Sequence, residues 1–112
     1  MLKLIGSKID QANLKKISED LDGYIKIVVD ISREIMTAGG TRHVDGEQLL
    51  LKNDSKQNDL WGGGIDLETE EIDFDSMINI RPNQGNNSRE VLSQEIRDKI
   101  KKIASKLLGI NL

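Results

Sequence analysis

The sequence predicts one α+β domain: a mixed sheet of about four to five strands, covered on one face by two amphipathic helices. Three stretches carry that prediction. YIKIVVDI, residues 24–31, puts Ile25, Ile27, Val29 and Ile31 on one face and Tyr24, Lys26, Val28 and Asp30 on the other. EIDFDSMINI, residues 71–80, alternates in the same way, with Ile72, Phe74, Ser76, Ile78 and Ile80 on one side. SQEIRDKIKKIASKLLG, residues 93–109, repeats its apolar residues at helical spacing.

In chain order, MLKLI is a short strand ending at Gly6. IDQANLKKISEDLDG follows as a helix of about three turns. Asp10 is its N-cap, Ile9 and Leu14 pair across the cap as a hydrophobic staple, and Leu14, Ile17 and Leu21 make its stripe. Gly23 sits where a C-terminal stop belongs. A crossover through so short a helix sets 24–31 parallel to the first strand in the same sheet. REIMTAGG then extends that strand or forms its neighbour.

HVDGEQLLLKND, residues 43–54, admits two readings. One is a short helix with Leu49, Leu50 and Leu51 partly buried; the other is a strand EQLLLK feeding a turn at NDSKQND. Gly46 counts against the helix and the leucine run against the alternation, and the helix is preferred. In LWGGGIDL, three consecutive glycines should interrupt any regular element. GIDLE and the alternation after it form an antiparallel hairpin, which Pro82 ends because it has no N–H for the ladder. In the last helix Ser93 is the N-cap, Ile96, Ile100, Ile103, Ala104 and Leu107 form the stripe, and Gly109 closes it. Glu95 and Asp98 near its start, and Lys102 and Lys106 near its end, suit the helix dipole.

Composition removes several functions. With 112 residues the chain is one domain able to bury roughly two-thirds of its unfolded surface. It has no cysteine, which excludes disulfides, thiolate metal sites and thiol catalysis. No apolar run approaches the roughly 20 residues of a membrane span, and the N-terminal run is too short for a signal peptide. A soluble, cytoplasmic protein with no membrane partner is expected. The net charge is −3 with both signs mixed, and the aromatics are Tyr24, Trp61 and Phe74 alone, so no nucleic-acid partner is expected either. There are no internal repeats or low-complexity tracts.

The candidate chemistry gathers in a few segments. His43, the only histidine, lies two residues from Asp45 and four from Glu47. On a strand all three share a face; on a helix His43 and Glu47 are one turn apart with Asp45 turned away. Either arrangement could give imidazole and carboxylate to a divalent metal, or acid–base chemistry. An exposed polar loop after Gly39 and Gly40 is the plain alternative. RPNQGNNSRE, residues 81–90, combines a tight turn with Arg81 and Arg89 and could hold an anion on its backbone N–H groups. It has neither P-loop nor dinucleotide-fold spacing. Trp61 beside the glycines is better read as core, its N–H on a carbonyl, than as a cleft wall. Lys99, Lys101, Lys102 and Lys106 form a solvated helix face. Asp30 and Glu34 could pair with His43 as acid and base. No nucleophile motif is present.

Taken jointly, VVDISREIMTAGGTRHVDGEQLLL, SKQNDLWG and INIRPNQGN resemble a family of short bacterial and cyanobacterial proteins grouped as a domain of unknown function. Its pattern is a V-V-D-I strand, G-G before H-x-D-x-E and leucines, S-x-Q-x-D-L-W-G, and I-N-I-R-P-x-x-G-N. The match runs from about residue 25 to Asn86. It singles out Asp30, Gly39, Gly40, His43, Asp45, Glu47, Ser55, Gln57, Asp59, Trp61, Gly62, Asn79, Arg81, Gly85 and Asn86. The family tends to glycine where this chain has Asp54, and to Ala-Asn where it has Gly63-Gly64. The resemblance implies no established activity, and any cofactor is left open.

The preferred functional reading is a small domain that binds a small polar or anionic ligand, or a metal. Its cleft would be built from His43–Glu47, Gln57–Trp61 and Asn79–Asn86, with Gln57, Asp59, Trp61, Asn79, Arg81, Asn86 and Arg89 as ligand contacts. The alternatives are a small enzyme with His43 as acid or base, and an interaction module that assembles as a homo-oligomer.

Overall fold

The strand at 24–31 is the centre of the sheet. The computed structural model describes residues 1–112. In chain order it holds β1 (Lys3–Ile5), α1 (Gln11–Ser18), β2 (Tyr24–Asp30), β3 (Ile35–Ala38), α2 (His43–Lys52), β4 (Leu60–Asp66), β5 (Glu71–Asp73) and α3 (Gln94–Leu108). Short 3-10 turns stand at Gln57–Asp59, Met77–Asn79 and Pro82–Gln84. The five strands lie in the order β1-β3-β2-β4-β5.

Every neighbouring pair is antiparallel, which corrects the expected mixed sheet. β1 and β2 do run in the same direction, as the crossover through α1 requires, but β3 lies between them. REIMTAGG supplied that neighbour by folding back at once. The Asp30 carboxylate accepts from the N–H groups of Ser32 (3.0 Å) and Arg33 (2.9 Å), and Glu34 takes a left-handed φ of 56°. A side chain that bonds its own turn makes so tight a reversal cheap.

One face of the sheet carries Ile25, Ile27 and Val29 of β2, Met36 and Ala38 of β3, and Trp61 and Ile65 of β4. Leu14 and Ile17 of α1 and Ile100, Ile103, Ala104, Leu107 and Leu108 of α3 close over them in one cluster. The two amphipathic helices thus share a face, as expected. Ser93 caps α3 through the Ile96 N–H (3.2 Å), and Gly109 ends it at a φ of 67°. Asp10 caps α1 through the Asn13 N–H (2.8 Å), but α1 stops at Ser18, shorter than predicted. The chain then winds to Gly23, whose N–H reaches back to the Ser18 carbonyl (2.7 Å) at a φ of 95°.

The opposite face is covered in part by α2, where Leu50 packs on Val28 and Leu60. The helical reading of residues 43–54 is the one realised. Gly46 favours it here: a methyl at that position would strike the Thr37 hydroxyl and Val28, so glycine lets α2 lie directly on the sheet.

Three expectations fail in the second half. The three glycines do not interrupt anything; β4 runs through them, paired with β2 from Leu60 to Asp66. They are there for space. A side chain at Gly62 would meet Ser76 and Ile78, one at Gly63 the Asp73 carbonyl, and one at Gly64 the Tyr24 hydroxyl. The alternation at 72–80 is not one strand either, since β5 ends at Asp73. Phe74 and Ser76 point inward because residues 74–76 pair with 89–91, through Val91 N–H to Phe74 O (3.1 Å) and Ser76 N–H to Arg89 O (3.0 Å). Residues 77–88 form a closed excursion between those two arms. Pro82 does not end a strand but opens the turn that Gly85 closes at a φ of 73°. The Cα radius of gyration, 12.6 Å, is that of one compact domain.

Candidate functional site

Half of the polar residues in the shared motifs, Asp30, His43, Asn79, Arg81 and Asn86, face the protein's own backbone. Past the end of β5, the outer edge of β4 has no partner strand. Asn79, 0% exposed, takes that place: its carboxamide oxygen accepts from the Gly62 N–H (2.8 Å) and its NH2 donates to the Gly62 carbonyl (2.9 Å). The same NH2 points at the carbonyls of Arg89 (3.0 Å) and Phe74 (3.1 Å). Asn86 is used in the same way. Its NH2 faces the carbonyls of Asn79 (2.8 Å), Glu90 (2.9 Å) and Ser88 (3.0 Å), and its oxygen accepts from the Leu92 N–H (2.9 Å). These two amides hold the excursion closed.

Arg81 continues along the same edge. Its guanidinium donates to the carbonyls of Leu60 and Gln57 and lies 4.0 Å from the Trp61 ring centroid. Burial pulls its pKa below the usual value, opposed by the charges of Glu47 and Asp59. So Glu47, Gln57, Asp59, Trp61 and Arg81 do come together, but Gln57 offers only its backbone carbonyl and its side chain is exposed. Trp61 is core, 2% exposed; contrary to expectation its indole N–H has no acceptor, nor has Arg81 Nε. At the far end of β2, Asp30 is fully buried and accepts from the Ser55 hydroxyl (2.7 Å). Asp54, where the related pattern has glycine, takes a φ of 72°, a conformation glycine adopts without strain.

The anion nest expected at residues 81–90 is not formed. The N–H groups of Arg81, Gln84, Gly85 and Asn86 all bond carbonyls inside the turn. Arg89 pairs with Asp75 (2.9 Å). His43, Asp45 and Glu47 do not converge. Asp45 turns onto Arg42 (2.9 Å), Glu47 is buried toward Arg81, and no three histidine or acidic side chains are placed to hold a metal ion. Asp30 and Glu34 are not partners of His43 either. Asp30 is used on its own turn and on Ser55, and Glu34 lies beside Lys99 and Lys102 of α3.

His43 belongs instead to an open cleft. It begins α2, and its Nε2 is 2.7 Å from the Gly63 carbonyl. A carbonyl accepts only, so Nε2 carries the proton and Nδ1 keeps a lone pair without a protein partner. Burial lowers the imidazole pKa, with the Lys26 charge adding to it, while the Gly63 contact and the charges of Asp73 and Asp75 oppose the shift. Burial therefore favours the neutral form of the ring. The cleft in front of it measures about 340 Å³. Tyr24 and Lys26 of β2 form its floor, Thr41 to Val44 one wall, and Asp75 to Ile78 with Arg89 the other. The Tyr24 hydroxyl donates to Asp73 (2.6 Å), and burial and that acceptor raise its pKa further above its already high ordinary value.

His43 and Arg89, singled out in the sequence with other partners, both line this cleft, whereas Lys26, Arg42, Asp75 and Met77 were not singled out. One signal was available for Lys26: the alternation of β2 set Tyr24 and Lys26 on the face opposite the isoleucines. Their end of that face stays open because α2 covers only the stretch near Val28.

With this geometry in view, comparison with known families gives one match, to proteins of unknown function (DUF5674), over residues 3–107. The chain belongs to the DUF5674 family. The match extends the resemblance seen in residues 25–86 to include α1 and nearly all of α3. No curated protein and no solved structure gives a significant match. No helix is long and apolar enough to cross a membrane.

Proposed function

We propose that this DUF5674 domain binds a small polar anion in the cleft above Tyr24 and Lys26. The observation that carries the reading is Lys26. It is half-buried on the cleft floor and makes no ion pair, whereas most buried charges are paired. Arg42 and Arg89 stand on the two walls, so three cations line the cleft, with Asp75 in its lining and Asp45 and Asp73 beside it. The partners of both arginines are exposed ion pairs, with arginine side chains 70% and 57% exposed, and such pairs hold weakly enough to be exchanged for a ligand. The first turn of α2, which has no capping side chain, opens beside them.

NMR titration of the whole chain with acetate and with inorganic phosphate tests the reading. Amide shifts should concentrate at Lys26, Thr41–Val44 and Asp75–Ile78, and Lys26→Gln should weaken binding about tenfold, the loss of one charge-assisted contact. Shifts scattered over the surface, or unaltered in Lys26→Gln, overturn it.

His43 supports a second reading, in which the same cleft is catalytic. A neutral imidazole fixed through Nε2–H, with a free Nδ1 lone pair at an open cleft, has the arrangement of a general base. A bound ligand consumed by the wild type but stable with His43→Gln would select this reading; a ligand stable with both selects simple binding.

A further inference from the structure

We propose that the ligand of this cleft is a small carboxylate carrying a short apolar chain, an inference that rests on the binding reading above. Large apolar side chains left exposed on this molecule are few: Met1, Val44, Met77, Ile80 and Leu92. Two of them line the cleft, Val44 at 40% and Met77 at 64% exposure, and the half-buried Ile78 lies beside Met77. Isolated exposed apolar residues are ordinary. Two on opposite walls of the cavity that also holds Lys26 give the site apolar as well as charged lining. Nothing in the chain covers Met77, a flexible side chain suited to molding itself around an apolar group of variable shape.

The charge of the ligand follows from the ion pairs. Arg42 and Arg89 already have Asp45 and Asp75, and Asp73 lies across Gly64 from Lys26 on the same face of the sheet, so the cleft holds no excess of positive charge for a dianion. That count favours a carboxylate over a phosphate dianion. The cleft, about 340 Å³, is at the small end of ligand sites, which suits a short chain and not a long lipid.

The test is an NMR titration of the full chain with acetate, hexanoate and hexanol, in the wild type and in Met77→Ser. Each methylene seated on Val44, Met77 and Ile78 tightens binding by roughly threefold. Hexanoate is therefore expected to bind more than about tenfold tighter than acetate, and the hexanoate-to-acetate ratio should collapse in Met77→Ser. Met77 is exposed, so this variant folds. Equal affinities for acetate and hexanoate would overturn the inference while leaving the binding reading in place. So would a chain-length gain that persists in both Met77→Ser and Val44→Ser. Hexanol binding as tightly as hexanoate would overturn both, because Lys26 would then have no part.

Discussion

Asn79 and Lys26 are both polar residues set against the middle of the sheet, and their circumstances are opposite. The Asn79 amide is completely buried, and every polar atom it owns meets backbone. Lys26 faces an open cleft with no partner. The first lies in the motifs on which the sequence resemblance rested; the second does not. Family-defining polar residues are often taken for a binding site. Here Asn79, Arg81, Asn86, Asp30 and Ser55 maintain a shape. The shape matters because the 77–88 excursion they close includes one wall of the cleft, at Met77 and Ile78.

The contrast makes graded predictions. Asn79→Ala should have the largest effect, since it strands the Gly62 N–H and the carbonyls it served inside the protein. A loss of about 3–5 kcal/mol is expected in urea unfolding, and a loss no greater than that of an exposed substitution would break the comparison. Arg81→Lys should cost roughly 1–3 kcal/mol, because an ammonium cannot reach both carbonyls in a fork while lying flat on Trp61. Rescue of most of the stability by lysine would show that charge alone is used there.

His43 gives a smaller, pH-dependent effect. In the unfolded chain its imidazole takes up a proton near pH 6.5, whereas burial holds the folded pKa below that. As pH falls through this window the unfolded state binds more protons, so stability drops; it is recovered as pH rises. Chemical denaturation of wild type and His43→Gln at a series of pH values below 7 should show the slope in the first and a reduced slope in the second. Lys26→Gln should have the smallest effect on folding, within about 0.5 kcal/mol, despite its large effect on anion titration. A strong loss of stability would place Lys26 with the architectural residues instead.

Local signals were legible in the sequence. Asp10 and Ser93 cap helices as read, Gly109 ends one, and the isoleucines of β2 mark the buried face. What was not legible depends on partners distant in the chain. Gly62, Gly63 and Gly64 look like a break until Ser76, Asp73 and Tyr24 are brought over them. The alternation through Ile80 imitates a strand, but Asn79 answers to Gly62, 17 residues back. The cleft joins Lys26, His43, Met77 and Arg89, which no single motif contains. Trp61 and Arg81 do meet, with the charges of Glu47 and Asp59 close enough to act on Arg81, but the group is directed inward.

The side chains along the outer edge of β4 have one more consequence. A strand edge with free N–H and C=O groups is a template on which another chain can add a strand. Between Leu60 and Gly62 that template is occupied by a carboxamide and a guanidinium, and neither presents a repeating backbone to the next molecule. Along this stretch of the edge, addition of a strand from another copy is therefore stopped by two side chains. At Leu60–Gly62, losing Asn79 would uncover an adhesive surface as well as loosen the fold, and Asn79→Ala protein would be expected to self-associate during refolding before it shows any change in what it binds.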